Sequence, residues 1–366
     1  MTAAMEEQSQ QRQQRHSDDQ RRRRFGAGSI VAVILLLLIG AMGGWQAGWF
    51  RSRPTVALIT NNDDPFWDPV IAGAEKAAAQ SNLKLKVIKG TGKEADQSAT
   101  IRQLLAEGIS GLAISPIDGA GQTEVLRQAA VQMPLVTMDS DSPNSSRLWF
   151  VGTDNYSAGR QVGAILQEAV PDGGEVLICV GSVTAENGKL RRQGVIDELL
   201  DRPYSQNGPF DPLDAPIKGA KYTLVGTCVD MHDKDAAVKL AADAIQKHPN
   251  LKCIVALYSY SAPAVLKALE QTGKLGQIKV IGFDALPETM AAVKAGNVFA
   301  TMQQAQFDIG FDTIRGLSDA LSSDSRVKAA AAGMTPLRYL GVSEVTAKNL
   351  EPVQETAQSP DASVAQ

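Results

Sequence analysis

Residues 55–78 read TVALITNNDDPFWDPVIAGAEKAA, and this stretch sets the frame for the rest of the chain. TVALIT (55–60) is a short β-branched apolar run of the kind that forms a buried strand. The residues after it, Asn61 to Trp67, form a turn crowded with amides, acids and aromatic rings. Asp68 precedes Pro69 at a plausible first helical position, so it reads as the cap of the helix that follows. Strand, polar turn and helix then recur along the chain.

In the first half the strand-like runs are LKLKVIK (83–89), GLAIS (111–115), PLVTM (134–138) and LWFVG (148–152). The second half has GEVLICV (174–180), KYTLVGT (221–227), CIVAL (253–257), KVIGF (279–283) and VFATM (298–302). Helical segments intervene, which implies right-handed crossovers and parallel sheets. Two such sets imply an α/β chain of two doubly wound parallel-sheet domains. The stretch 202–219, rich in Pro, Gly and Asp without a period, reads as a surface excursion.

Upstream, residues 25–44 (FGAGSIVAVILLLLIGAMGG) carry no charge and follow Arg21 to Arg24. Twenty such residues in a helix rise roughly 30 Å, enough to cross a bilayer core. The arginines would stay in the cytoplasm, so the remaining chain is expected to be exported. The run is longer than a usual signal segment. An uncleaved anchor over 25–50 is the leading reading, and a signal cut after Gly43 or Ala47 is the other. Residues 1–24 read as a disordered basic stub and 348–366 as a disordered tail.

Composition narrows the function. A formal net charge of −4 argues against a nucleic-acid partner. The three histidines, His16, His232 and His248, lack metal-ligand spacing, so no metal and no cofactor is expected. No GxSxG elbow, P-loop or GxGxxG turn occurs. Asp139 and Asp141, two residues apart at a strand end, read as hydrogen-bond acceptors rather than as a catalytic pair. Cys179, Cys228 and Cys253 sit inside apolar runs. They read as buried thiols, although export would permit a disulfide.

In doubly wound sheets a ligand sits outside the carboxyl ends of the strands. Those turns hold Asp64, Phe66 and Trp67, then Asp139 and Asp141, then Asn187, Lys189 and Arg191, and finally Tyr258, Asp284 and Gln304. Carboxylates and amides bind vicinal hydroxyls, and flat rings cover the apolar face of a pyranose. A Trp inside so polar a turn reads as a ligand contact. Asp139 and Asp284 each end an apolar run at matching positions in the two halves, which points to a shared cleft. One member of the Lys189, Arg191, Arg192 cluster is expected in that cleft.

Several segments resemble one family in the same order. They are the opening TVALITNNDDPFWDPVIAGAEKAA, then MPLVTMDSD, FVGTDNYSAG, IGFDALPETMAAVKAG and FATMQQAQFDIG. Together they are similar to the periplasmic ribose-binding proteins, whose core the lactose-repressor family shares. The resemblance covers roughly residues 54–347. It implies a type I periplasmic-binding-protein fold with three hinge crossovers, near Thr153-Asp154, near Gln304 and near Met334. One lobe would hold 54–153 plus 305–333, and the other 154–304 plus 334–347.

The resemblance also implies sugar contacts at Asp64, Phe66, Trp67, Asp139, Lys189, Tyr258, Asp284 and Gln304. Met231 or His232 would supply a further apolar contact. Ser140, Lys189 and Tyr258 stand where the ribose receptors have arginine, arginine and asparagine. This departure points to a bulkier or differently oriented sugar, a cyclitol or another polyol. The implied function is a non-enzymatic, monomeric receptor that delivers a sugar or polyol to an ABC permease and its ATPase. A membrane-tethered sensor acting through a separate partner is the alternative. A repressor would need a DNA-reading helix-turn-helix where this chain has its apolar run.

Overall fold

The computed structural model describes residues 53–322 and 337–350. The stub, the anchor segment and residues 351–366 of the tail lie outside the described residues. Among the described residues no helix is long and apolar enough to cross a membrane.

The first lobe is built on a six-stranded sheet. Its strands are β1 (Thr55–Ile59), β2 (Lys84–Ile88), β3 (Gly111–Ile114), β4 (Leu135–Met138), β5 (Trp149–Thr153) and, from the far end of the chain, β12 (Leu337–Leu340). The order is β12-β5-β4-β3-β1-β2, and every pair is parallel. Alternation along β1 shows how helices cover both faces. Val56 and Leu58 join a layer with Trp67, Val70 and Ile309, while Ala57 and Ile59 join another with Ile101, Leu104 and Leu126. The lobe's helices are α1 (Trp67–Gln80), α2 (Glu94–Glu107) and α3 (Thr123–Gln132), with α9 (Gln306–Leu321) returning from the second half. Burial on both faces explains why the central runs GLAI and LVTM are apolar but for Thr137.

The second lobe repeats the plan with α4 (Asn155–Ala169), α5 (Glu186–Leu199), α6 (Lys234–Lys247), α7 (Ser261–Gln271) and α8 (Pro287–Ala295). Its sheet contains β6 (Gly174–Val180), β8 (Tyr222–Val229), β9 (Leu251–Ala256), β10 (Lys279–Phe283) and β11 (Ala300–Gln304). Two antiparallel edge strands, β7 (Ile217–Lys218) and β13 (Val342–Val345), complete the order β13-β11-β10-β9-β6-β8-β7. The strand order reverses beside β1 in one sheet and beside β6 in the other. These are the switch points where doubly wound sheets bind ligands.

The chain passes from one lobe to the other between β5 and α4 and between β11 and α9. The third crossing differs. Met334 lies outside the described residues, and residues 337–340 belong to the first lobe's sheet, not the second's. Leu337 stands opposite Phe150, and the Tyr339 ring meets the Phe150 ring edge-on at 6.2 Å. The chain crosses at Gly341, and only Val342–Val345 joins the second sheet, with Val345 fully buried. Residues 349 and 350, expected within the tail, make specific contacts. Leu350 packs into the second lobe's core, and the Asn349 side chain donates to the Glu344 carbonyl at 2.9 Å.

Residues 202–216 are largely exposed, as expected of an excursion, but they are tied down. Arg202 pairs with Asp211 and Asp197, and Arg192 donates to the carbonyls of Asp211 and Pro212. Arg192 therefore holds this loop and stays out of the cleft.

A candidate sugar-binding cleft between the lobes

The site is built from strand ends. Asp139 follows β4 and Asp284 follows β10, and both adopt a left-handed backbone, with φ of 59° and 67°. Asp and Asn tolerate this conformation better than other side chains with a Cβ. In each case the backbone N–H donates to the next strand over, Asp139 to the Val151 carbonyl and Asp284 to the Met302 carbonyl. The same local bend, made once in each sheet, aims a carboxylate into the space between the lobes.

That space is a narrow cleft with a cavity volume of about 20 Å³ in this closed arrangement, lined from the first lobe by Asn61, Asn62, Asp64, Phe66, Trp67 and Asp139. The second lobe and the hinge supply Asn187, Arg191, Tyr258, Ser259, Tyr260, Asp284 and Gln304. Nine of the eleven residues expected from the sequence thus meet in one place. Asp64 does double duty: its Oδ1 accepts from the Phe66 N–H at 3.0 Å, shaping the turn, and also from the Ser259 hydroxyl across the cleft at 2.8 Å. Helix α1 has no side-chain cap at Phe66, so the capping role expected of Asp68 goes unfilled and Asp64 only shapes the preceding turn. Asp68 is exposed and pairs with Lys89 at 2.9 Å. The Trp67 indole N–H donates to the side-chain oxygens of Asn61 and Asn62, which fixes the ring at the cleft wall.

Arg191 is the cation of the site. Its guanidinium donates to Asn155, to the Leu257 carbonyl and to Gln304 at 2.8–3.1 Å, and stands 3.8 Å from Asp139. It also lies over the Phe283 ring, 3.9 Å from the centroid. The helix carrying it sits unusually close to α4. A Cβ on Gly159 would come within 2.2 Å of the Arg191 carbonyl oxygen, so only glycine admits this approach. Gln304 links the groups further, donating to Asp284 at 2.9 Å while accepting from the hinge residue Thr153 at 2.8 Å.

Two expected contacts fall outside the cleft. Lys189 lies two residues before Arg191 on the same helix, about 200° away around its axis. It pairs with Glu186 at 2.6 Å and sits over the Phe210 ring. Asp141 turns back into the first lobe, where Arg147, Thr137 and the Ser142 N–H hold it. Of the two residues left open near 231, Met231 is 63 % exposed, and His232 faces Tyr258 edge-on at 5.5 Å without lining the cleft. Asn61, Asn62, Ser259 and Tyr260 do line it. They lie in the turns that the strand ends had marked, but sequence carries no signal of which turn residues face inward.

The lobes are closed on one another. Besides Ser259 and Asp64, Asn187 of the second lobe donates to Asp139 at 3.0 Å, and the Glu186 N–H donates to the Ser140 hydroxyl at 3.1 Å. Lys234 reaches Asp64 at 3.1 Å. Burial pushes the Asp284 carboxyl up to about 7 against the pull of Arg191 and Gln304. Asp139 is raised for the same reason, with Arg191, Ser115 and Asn187 opposing. Both carboxylates thus lack full compensation in the closed cleft, and polar hydrogens from a ligand would supply it.

Comparison with known proteins agrees with this geometry. The family model described as periplasmic binding protein domain matches residues 56–325. The D-allose-binding periplasmic protein of Escherichia coli is 25% identical over 285 residues, covering 75% of this chain and 86% of that protein. The ribose import binding protein of Bacillus subtilis is 23% identical over 283 residues, covering 76% and 85%. Among solved structures, a solute-binding protein of an ABC transporter from Burkholderia graminis, in complex with D-arabinose, is 26% identical. It aligns with a TM-score of 0.70 over 81% of this chain and 96% of its own. A counterpart from Agrobacterium vitis bound to α-D-tagatopyranose, at 19% identity, shares the fold with a TM-score of 0.72 over 83% of this chain and 98% of its own. Two doubly wound lobes, three crossings and a family match over most of the sequence lead to one assignment: the chain belongs to the periplasmic binding protein family.

Proposed function

We propose that this chain is an extracytoplasmic receptor that closes its lobes around a sugar or sugar-like polyol and delivers it to an ABC importer. The observation that carries the reading is the pair Asp139 and Asp284, bent into one cleft from two separate sheets. Paired carboxylates suit a ligand with several hydroxyl donors. Amides at Asn61, Asn187 and Gln304 add acceptors and donors, and Phe66, Trp67 and Tyr258 offer flat apolar surface. The ligands of the relatives, allose, ribose, arabinose and tagatose, are of this class. The ligand biases a hinge equilibrium, because it touches both lobes only when they are closed. The role is binding without turnover.

A thermal-shift panel of monosaccharides, polyols, cyclitols, amino acids and other non-hydroxylated solutes tests the proposal. A ligand at 100 times its dissociation constant adds about 2.7 kcal/mol to stability. A sugar or polyol that raises the melting temperature supports the reading. A panel in which only amino acids or other non-hydroxylated solutes do so rejects it.

We also propose that residues 25–44 anchor the receptor in the inner membrane, on the strength of their length and the four arginines before them. The full-length chain is then expected to stay with membranes through a carbonate wash. Recovery of a mature chain starting between residues 42 and 54 would replace the anchor by a cleaved signal and leave export intact.

A further inference from the structure

Cys179 and Cys228 stand directly opposite one another on β6 and β8, two neighbouring parallel strands. Adjacent strands run about 4.7–4.9 Å apart, within the span of about 4.4–6.8 Å that a disulfide bridges between Cα atoms. Both side chains enter one apolar layer, with Ala241, Ile245 and Val265, so they share a face of the sheet. The third cysteine is excluded by register. On β9 the residue opposite Cys179 is Ala256, while Cys253 stands opposite Val176 and enters the layer on the other face. One pairing alone is open to these three thiols, and it joins cysteines that are consecutive in the sequence.

We propose that Cys179 and Cys228 close an intrachain disulfide in the exported protein. The two thiols also interact as thiols. Their mutual hydrogen bond holds Cys179 above the ordinary thiol range and draws Cys228 below it. The thiolate of one cysteine displaces one sulfur of a disulfide-bearing oxidant to give a mixed disulfide. The thiolate of the other then attacks the sulfur of the first and expels the oxidant's second sulfur as a thiol. The pair loses two protons and two electrons, and the oxidant gains them.

Both thiols are buried in the folded lobe, at 4% and 9% exposure, so the exchange belongs to the folding chain, before α6 covers the sheet. The bond staples β6 to β8 just below the turns at Gly181 and Asp230. There the Asp230 N–H already donates to the Val180 carbonyl, and the Tyr260 hydroxyl, at the cleft wall, donates to Asp230. Strand register carries the pairing itself. Only the supply of oxidant rests on the extracytoplasmic reading above.

The test counts thiols. The full chain is unfolded, returned to native buffer with detergent and a mixture of reduced and oxidised glutathione, then denatured with iodoacetamide and weighed. The expected product carries one alkylated cysteine instead of three, and digestion links the peptides of Cys179 and Cys228. Cys253→Ser is expected to keep the link and carry no alkylated thiol, whereas Cys228→Ser loses the link and alkylates at both remaining cysteines. Three alkylated cysteines in the wild type, or a link that includes Cys253, overturns the pairing. Chain harvested from cells under iodoacetamide is expected to match the glutathione sample. If the glutathione sample is linked and the cellular one is not, the extracytoplasmic reading fails and the pairing stands.

Discussion

Asp284→Asn is expected to weaken binding of the cognate solute about 10- to 150-fold, the equivalent of about 1.5–3 kcal/mol for a hydrogen bond to a charged group. Asparagine keeps the shape of the side chain and tolerates the left-handed backbone at φ 67°. The substitution removes the charge and turns one acceptor oxygen into an NH2 donor. Ligand-free stability at pH 8 is expected to stay level or rise, because the wild-type carboxylate is buried there with Gln304 as its donor and burial outweighs the attraction of Arg191. A purely structural role for Asp284 forecasts the opposite: a lower melting temperature with affinity unchanged.

The pH dependence has a definite sign. The folded value of about 7 lies above the ordinary 3.8, so protonation is favoured in the closed cleft. This group's contribution to the ligand-free closed state is complete below pH 4 and is lost as the pH rises through 7. Hydroxyl donors select the ionised form. Solute affinity is therefore expected to strengthen from pH 5.5 to pH 8 by about tenfold or more, and Asp284→Asn flattens most of that slope. Isothermal titration at the two pH values reads both effects.

Arg191→Met is expected to be the most damaging single change in the second lobe. It deletes three hydrogen bonds to Asn155, Leu257 and Gln304 and leaves Asp139 and Asp284 without their neighbouring cation. Removing one partner from a buried charge network costs about 3–5 kcal/mol. For a domain of this size that corresponds to a drop of about 6–20 °C in melting temperature. Lys189→Met serves as the contrast, since Lys189 is only half-buried and pairs with Glu186 within one turn of the helix. It is expected to cost under about 1 kcal/mol and to leave affinity unchanged. Equal effects for the two substitutions would show that Arg191 does not organise the site.

The contrast between Arg191 and Lys189 also shows where sequence reading stops. The basic cluster and its helix are legible, but a two-residue offset on a helix reverses the face, and only packing decides which residue turns inward. Gly159 makes that decision here by letting α4 approach the backbone of Arg191. Asp139 and Asp141 pose the same problem in a turn: both follow β4, yet the left-handed bend at Asp139 sends Asp141 back toward Thr137 and Arg147. Strands were plain wherever an apolar run was bounded by polar turns. The two-residue edge strand at Ile217 is too short to leave a pattern. The run LRYLGVSEV (337–345) reads as one strand because nothing local marks Gly341 as a crossing between sheets. Asp139 and Asp284 were legible because an acid ending an apolar run twice, at matching places, has few structural explanations.

Capture between two moving lobes is the central claim, and small-angle scattering of the protein with and without its cognate solute tests it most directly. The described lobes are closed through Ser259 to Asp64, Asn187 to Asp139 and Glu186 to Ser140, contacts that a ligand-free open state would lose. The expected result is a radius of gyration that falls on addition of solute and saturates at the stoichiometry of one solute per chain. Scattering curves that superimpose while calorimetry shows the solute bound would contradict closure as the means of capture.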